Sequence, residues 1–456
     1  MIATKAAVSA LVLASGFRAI SDDDYARVVI AQRFVEAPTL DPSGTSWLPL
    51  PFLIQGVAMA ASEPSLEVAR AVSFVLGVLS ALLLWRAATF IGLSRSAAVL
   101  AAILACALPY SARLGVATVP EAWTAALVVF GAASAARGLP ERWWGAVALL
   151  LATLSRYESW PVAAVFCVTC AWDARRARAF WGPAAVAGSG IGAWLLHGVV
   201  RHGDALFFVR RVADYRRALG GSDGVWERLW RVPEALVVHE PEVLLFATAA
   251  LLAGVLLRRP APVIWWRFAL PVAAVLPFLM AGELADGAPT HHGERAVLAV
   301  WMLAAVIGVG ALERAATPAR SLRSRALLFG GVGAVLLWSA VVPLGRPPAP
   351  FVDRSAEEDI GQRARRLAVR HVRVDTADFG YFAVLAALGH PSTARPLDDR
   401  DPRRERSRAF ASASELGARL AGARWLVARK EHLELASALG RVRAENARFV
   451  LVQVAP

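Results

Sequence analysis

Three consecutive carboxylates, Asp22, Asp23 and Asp24, follow the first apolar segment of the chain in the stretch "SDDDY". Adjacent carboxylates repel one another unless a cation or another positive group lies close to them. A carboxylate beside a reacting hydroxyl can accept its proton as a general base or hold the hydroxyl in orientation. The cluster therefore predicts acid–base chemistry or the binding of a positive group at the start of a helix.

Helix capping explains part of this cluster. Ser21 followed three residues later by Asp24 is typical of a capping box, and acids in a first helical turn interact favourably with the helix dipole. Asn also caps helix starts, so replacement of Asp24 by Asn is expected to have a milder effect than replacement of Asp22 or Asp23. Capping does not account for Asp22 and Asp23. The residues that follow, "YARVVIAQRFV", have the spacing of an amphipathic helix lying on a membrane surface.

Arginines that could bind a phosphate group occur in four other places. A guanidinium group suits this role because it can contact two phosphate oxygens at once. The four are Arg113, Arg156 in "SRYESW", the pairs Arg210–Arg211 and Arg216–Arg217, and Arg295 in "HHGER". The alternative for each is a side chain that extends from a helix end to the membrane surface. The tight turn that also holds Tyr157 and Glu158 favours a site role for Arg156 or Glu158.

Three further polar residues stand at predicted helix starts. Glu121 follows Pro120 and is either a first-turn acid or a site residue. His291 and His292 are adjacent, so on a helix they would point in different directions and form a poor two-ligand metal site. The sequence specifies no cofactor. A divalent metal held by these histidines and the aspartate cluster stays open.

The elements that must position these residues are membrane helices. Of the 456 residues, 57% are hydrophobic, which is more than in soluble domains of this length. Apolar runs of about 17–25 residues are long enough to cross a bilayer. They predict an α-helical polytopic membrane protein with about eleven transmembrane helices, near 3–19, 67–90, 96–112, 119–136, 142–156, 159–173, 180–200, 242–257, 261–282, 295–312 and 325–344.

The positions of the arginines predict the orientation of these helices. Arginines are concentrated in the loops after even-numbered helices, and such loops face the cytoplasm. The N-terminus is then cytoplasmic, residues 20–66 form the first exported loop, and an odd number of helices places the C-terminus outside. The net charge of +13 is thereby explained by membrane topology, and no nucleic-acid partner is predicted.

The chain changes character near residue 346. A transmembrane domain, residues 1–345, gives way after the linker "GRPPAPF" to a charged and less apolar segment, residues 346–456. "HVRVDT", "RWLVARK" and "FVLVQVA" have the pattern of strands, whereas "YFAVLAALG" and "HLELASALG" have the pattern of helices that end at a glycine. We expect a small α/β domain outside the membrane.

This order of parts resembles the GT-C membrane glycosyltransferases, which include protein O-mannosyltransferases and lipid A aminoarabinose transferases. The resemblance consists of a short first helix, an exported loop that opens with an acidic pair before Tyr25, about eleven to thirteen spans and an outer C-terminal domain. "SGTSWLPLPFLIQG" (43–56) resembles the second half of the first exported loop in bacterial members, and "RYE" before Trp-Pro resembles a later one. The resemblance implies a bacterial-type inner membrane as the location.

The resemblance also implies a reaction. A sugar carried on a polyprenyl phosphate is transferred, with inversion, to a hydroxyl of a protein, lipid or glycan acceptor at the exported membrane surface. By position before Tyr25, Asp22 and Asp23 match the acidic pair, and Asp24 stands at a variable position. Arg156 and Arg295, with His291 or His292, are expected to bind the donor phosphate, and Tyr157, Glu158, Arg113 and Glu121 are further candidates for the site.

Two alternatives remain open. A transporter or flippase of a lipid-linked glycan would carry ionisable groups near the middle of its spans, and these spans carry none there. A non-catalytic membrane scaffold that binds a partner through its α/β domain would leave the acidic loops without a purpose. Both alternatives fit the sequence less well than the transferase.

Overall fold

The computed structural model describes residues 1–218, 224–287, 293–316, 322–341, 352–376, 378–397, 412–420 and 422–455. The predicted site residues His291 and His292, and the predicted linker "GRPPAPF", lie outside the described residues.

Helices make up the regular structure of the described residues up to 341. A helix pairs all of its backbone polar groups internally, which long apolar segments require in lipid. The helices are α1 (Ile2–Ala14), α2 (Asp22–Glu36), α3 (Leu50–Ala60), α4 (Leu66–Phe90), α5 (Arg95–Ala107), α6 (Pro109–Leu114), α7 (Glu121–Ser134), α8 (Leu139–Thr153), α9 (Trp160–Ala174), α10 (Trp181–His202), α11 (Phe207–Ala218), α12 (Val225–His239), α13 (Pro241–Leu256), α14 (Ile264–Ala273), α15 (Val275–Leu284), α16 (Leu298–Ala316) and α17 (Leu322–Val341).

Several helical segments have the length and composition of membrane spans. Among the described residues, four pass by themselves: Leu66–Phe90, Arg178–His202, Ile264–Leu284 and Gly293–Ala316. A fifth is obtained if α12 and α13, which meet at 85°, form one broken span. Other apolar helices, such as α1, α5 and α7, are shorter. The chain is thus a multi-pass helical membrane protein, and the number of about eleven spans stays a prediction.

Helix α2 is covered by protein along most of its length, and its predicted place on the membrane surface stays a prediction. Every residue from Asp24 to Gln32 is buried inside the protein, including Arg27. A helix that is covered all round must have packing partners on every side. The apolar spacing of α2 predicted one covered face, because a local pattern does not show what covers the other.

The C-terminal part is an α/β unit, as the sequence predicts. Its elements are α18 (Ser355–Arg366), β1 (Val372–Val374), α19 (Tyr381–Leu388), β2 (Ala394–Pro396), α20 (Ala413–Leu420), β3 (Trp425–Arg429), α21 (Leu433–Ser437), β4 (Gly440–Glu445) and β5 (Phe449–Val454). The strand order is β2-β1-β3-β5-β4. Strands β2, β1 and β3 are parallel, and β5 pairs antiparallel with β3 and β4.

The three predicted strands and the helix at 381–388 are confirmed in this unit. The helix ends before Gly389, which has a φ of +84° as a glycine at this position permits. Helix α21 is shorter than predicted, because it ends at Ser437 and Gly440 begins β4. The division of the chain near residue 346 falls among residues that are not described and stays a prediction.

The α/β unit packs directly against α2. Val28 and Val29 of α2 belong to the same apolar cluster as Ile360 of α18 and Val384 of α19. The Tyr25 hydroxyl also donates a hydrogen bond to Glu358 at 2.6 Å. Because α2 begins at Asp22, this packing holds the acidic cluster between the α/β unit and the helical part of the chain.

Candidate functional site

Charged side chains from four helix ends meet beside the start of α2. Asp23 lies in its first turn, Glu121 begins α7, Arg156 follows α8, and Arg295 lies in the 3₁₀ turn before α16. Arg295 Nη2 donates to Asp23 Oδ2 at 2.7 Å, and its Nε lies 3.7 Å from Glu121 Oε1. Arg156 Nη1 donates to the same Glu121 oxygen at 2.5 Å. We call these four residues the acid–arginine cluster.

Asp24 is a structural member of the acidic triplet. Its Oδ2 accepts hydrogen bonds from the backbone N–H groups of Ile20 and Ser21, at 3.1 and 3.2 Å. Its Oδ1 accepts one from the backbone N–H of Thr118 at 2.9 Å. Burial raises the pKa of Asp24, although Arg295 and these N–H groups favour its charged form. The Asp24 half of the predicted capping box is confirmed, and the same carboxylate also binds the segment before α7.

The segment that carries Thr118 passes close to the backbone of α4. A Cβ atom on Gly77 of α4 would lie 1.9 Å from the carbonyl oxygen of Gly115. Only glycine leaves room for this contact. Helix α4 therefore supports the segment that carries Thr118.

Asp22 is bound by the α/β unit. Arg354, the residue before α18, donates to its Oδ1 from Nε and to its Oδ2 from Nη2, both at 2.9 Å. Arg354 also contacts Glu357 at 3.2 Å and Asp378 at 3.0 Å. Both oxygens of Asp22 are thus occupied by one guanidinium group in a two-point contact.

Asp23 is the acid of the triplet that faces the arginines of the helical part. Its side chain is 29% exposed, whereas the Arg295 side chain that contacts it is 7% exposed. Solvent, and by extension a substrate, can therefore reach the Asp23 side chain at the edge of the acid–arginine cluster.

Arg27 is a further candidate site residue, although no sequence motif singles it out. It is 6% exposed, and its Nε and Nη1 have no hydrogen-bond partner among the described residues. Its guanidinium lies 4.5 Å from the centre of the Trp47 ring. It also interacts electrostatically with all four residues of the acid–arginine cluster. Burial lowers its pKa to about 10, so the side chain stays charged at neutral pH. Its position four residues after Asp23, on the same helix face, was the available signal.

Tyr157 and Glu158 lie next to the acid–arginine cluster with different contacts. The Tyr157 hydroxyl donates to the Ser46 carbonyl at 2.7 Å and accepts from Trp194 Nε1 at 2.9 Å. Its ring also stacks on Phe208 with 4.5 Å between ring centres. Tyr157 therefore fixes the loop between α2 and α3 to the helices. Glu158 pairs with Arg156 Nε.

The other predicted arginines have partners of their own. Arg113 on α6 interacts electrostatically with Glu240 and Tyr110. Arg216 is buried and donates to Glu283 at 2.9 Å, whereas Arg210 pairs with Asp204 at 3.1 Å. Arg217 pairs with Asp214 within its own helix.

No family model matches the sequence, and no curated protein matches it. Solved structures do match. The lipid A aminoarabinose transferase ArnT from Cupriavidus metallidurans aligns in its apo state over 96% of this chain and 95% of its own, at 12% identity and a TM-score of 0.61. The same protein bound to undecaprenyl phosphate aligns over 96% of both chains, at 14% identity and a TM-score of 0.58.

A third solved structure covers a more distant protein. The archaeal oligosaccharyltransferase AglB from Archaeoglobus fulgidus, in complex with an inhibitory peptide and a dolichol-phosphate, aligns over 95% of this chain and 70% of its own. The identity is 14% and the TM-score is 0.50. ArnT and AglB are both GT-C proteins, so the predicted resemblance is confirmed at the level of the fold: the chain has the fold of the GT-C membrane glycosyltransferases.

Proposed function

We propose that the protein is an inverting glycosyltransferase that moves a sugar from a polyprenyl-phosphate donor to an acceptor hydroxyl on the exported face of the membrane. The observation that carries this proposal is the pairing of an accessible carboxylate, Asp23, with the buried arginines of the acid–arginine cluster. The GT-C fold supports this proposal. So do two of the similar structures, since ArnT was solved with bound undecaprenyl phosphate and AglB with a dolichol-phosphate.

Asp23 is proposed as the general base that accepts the proton of the acceptor hydroxyl. The acceptor oxygen attacks the anomeric carbon as the bond to the donor phosphate breaks, and its proton passes to the Asp23 carboxylate. The bonding electrons remain on the leaving phosphate oxygen. Asp22 suits this role less well because Arg354 occupies both of its oxygens, and Asp24 does not suit it because backbone N–H groups occupy both of its own.

The donor phosphate is proposed to bind Arg27, Arg156 and Arg295. Arg295 Nε and the Nε and Nη1 atoms of Arg27 are buried N–H groups without a hydrogen-bond partner among the described residues. Buried donors of this kind are costly unless a ligand pairs with them. Guanidinium groups aimed at the leaving phosphate would stabilise the charge that develops as the sugar departs. His291 and His292 are proposed as further phosphate-binding residues.

The test begins with the products, because neither the sugar nor the acceptor is known. Mass spectrometry of envelope glycans and secreted proteins from a deletion strain and its parent should show one sugar addition missing. The wild-type gene should restore it. The Asp23→Asn variant should fold and insert normally yet lose about 10²–10⁴-fold in single-turnover transfer, the usual value of general-base assistance.

Asp214→Asn is the matched control, since Asp214 is exposed and pairs with Arg217. Transfer by Asp23→Asn at the wild-type rate would refute the catalytic role of Asp23. The assay in detergent also distinguishes a transferase from a flippase. A flippase only moves a lipid from one membrane face to the other, so it forms no glycosylated product in detergent.

A further inference from the structure

Three side chains of types that bind metals form a group that includes none of the residues proposed for catalysis. Asp41 lies in the first exported loop between α2 and α3, His197 lies in the last turns of α10, and His202 is its last residue. Their ligand atoms all lie within 4.8 Å of one another. Within the described ranges this is the one group of three or more His, Cys, Asp or Glu residues with such geometry.

The Asp41 carboxylate is oriented for a ligand on one side. Its Oδ1 accepts hydrogen bonds from Ser43 Oγ and from the backbone N–H of Gly44, both at 3.1 Å. Its Oδ2 lies 3.3 Å from His197 Nε2. That imidazole nitrogen is buried and has no hydrogen-bond partner among the described residues. A buried imidazole nitrogen 3.3 Å from a carboxylate oxygen, with no hydrogen bond between them, provides two ligand atoms that one cation can bind together.

Both imidazole rings are held by neighbouring aromatic rings. His197 stacks on Trp194 with 4.8 Å between ring centres and 16° between planes. His202 stacks on Phe207 at 4.0 Å and 15°. Ligands held in this way lose little side-chain freedom when an ion binds.

We propose that Asp41, His197 and His202 bind one divalent transition-metal ion of the zinc type, with a water molecule in the fourth position. Two imidazole nitrogens and a carboxylate are ligands that zinc accepts, whereas magnesium and calcium prefer oxygen ligands alone. With metal–ligand bonds of 2.0–2.2 Å, tetrahedral ligand atoms lie roughly 3.4 Å apart. The 3.3 Å between Asp41 Oδ2 and His197 Nε2 already matches this separation.

The ion would connect the first exported loop to α10. The same loop carries Ser46, which binds Tyr157, and Trp47, whose ring covers Arg27. A metal at Asp41 therefore fixes the loop that closes over the proposed phosphate site. Binding of the ion is independent of the proposed function and is measured without any sugar transfer.

The experiment uses the full-length protein in detergent, purified through an affinity tag that contains no histidine and stripped with a chelator. Zn²⁺ should bind at one ion per chain and raise the melting temperature, and Co²⁺ should give the visible absorption of a tetrahedral site. Asp41→Asn and His197→Gln should each lower the affinity by at least the ~10–100-fold that loss of an outer-shell partner costs. Ser43→Ala keeps all three ligands and should lower the affinity by about 10-fold, because it loosens Asp41.

His390→Gln in the α/β unit is the matched control and should bind both metals like the wild type. The proposal is refuted if the stripped wild type binds no more Zn²⁺ or Co²⁺ than His197→Gln does. That result would make Asp41 and His197 an ordinary ion pair. Size-exclusion profiles identify any variant that fails to fold, and Ser43→Ala then still tests the site.

Discussion

Three adjacent aspartates have three different environments. Asp22 is held by a guanidinium from the α/β unit, Asp23 faces Arg295, and Asp24 accepts backbone N–H groups on both oxygens. Successive residues of a helix point about 100° apart, so neighbours in sequence contact different parts of the fold. Substitution of each should therefore have a different consequence.

Asp24→Asn should destabilise the protein rather than be tolerated. Asn can accept hydrogen bonds at one end only, so its NH₂ group would face either the Ser21 or the Thr118 backbone N–H. A buried group left unpaired costs about 1–3 kcal/mol. Thermal unfolding in detergent measures this loss, and Asp214→Asn serves as the exposed control. An unchanged melting temperature would mean that capping, which Asn also provides, is the whole role of Asp24.

Arg27→Met should weaken donor binding while leaving the fold in place. Met keeps the apolar contact with Trp47 and removes the buried N–H groups that lack partners. A hydrogen bond to a charged group contributes about 1.5–3 kcal/mol, so the affinity for undecaprenyl phosphate should fall roughly 10–100-fold. Arg33→Met is the control, since Arg33 is exposed on the same helix. Equal binding by the two variants would place the phosphate elsewhere.

At the level of elements, α2 is the part on which the two halves of the chain meet. Its N-terminal turn supplies Asp22 to α18 and Asp23 to the turn before α16. Its apolar residues pack against α18 and α19. The α/β unit therefore contributes to the geometry of the candidate site, and it contacts the acidic triplet through Arg354.

Arg354→Lys should lower the turnover number of sugar transfer with little change in the KM for the donor. Lysine keeps the charge but loses the two-point contact that orients Asp22, and small misplacements near a reacting group cost up to ~10²-fold. Arg354→Gln should be worse, because it also removes the charge. Arg363→Gln on α18 is the control, since Arg363 is partly exposed and pairs with Asp359. A purely structural role would lower stability and spare the turnover number of the folded fraction.

On the scale of the whole molecule, the helix ends that are predicted to be exported must share one membrane face with the α/β unit. Asp23, Glu121, Arg156 and Arg295 stand at helix ends that the arginine distribution assigns to that face. Their contacts with one another agree with this assignment. The contact between Asp22 and Arg354 places the α/β unit at the same end of the helices.

A reporter that is active only in the cytoplasm should be silent when fused after Pro456. The α/β unit would then lie outside the membrane, with the N-terminus in the cytoplasm. A reporter active only outside the cytoplasm, fused at the same point, is the positive control. Activity of the cytoplasmic reporter would reverse the orientation and move the proposed site to the cytoplasmic face.

Much of this protein can be derived from local sequence. Apolar run length predicts membrane helices, because an unpaired backbone is too costly in lipid. The spacing of Ser21 and Asp24 predicts the capping contact, and alternating residues predict β1, β3 and β5. These features depend on residues a few positions apart, so the printed sequence contains the interacting partners side by side.

The partners of the site residues depend on long-range packing. Nothing near Asp22 in the sequence points to Arg354, which lies 332 positions away. The burial of Arg27 and the covering of α2 likewise follow from elements that meet only in the folded chain. Local patterns show which face of a segment is apolar and which is polar. They carry no information on which other elements of the fold cover those faces. For that physical reason the acids could be found in the sequence, whereas their separate roles required the fold.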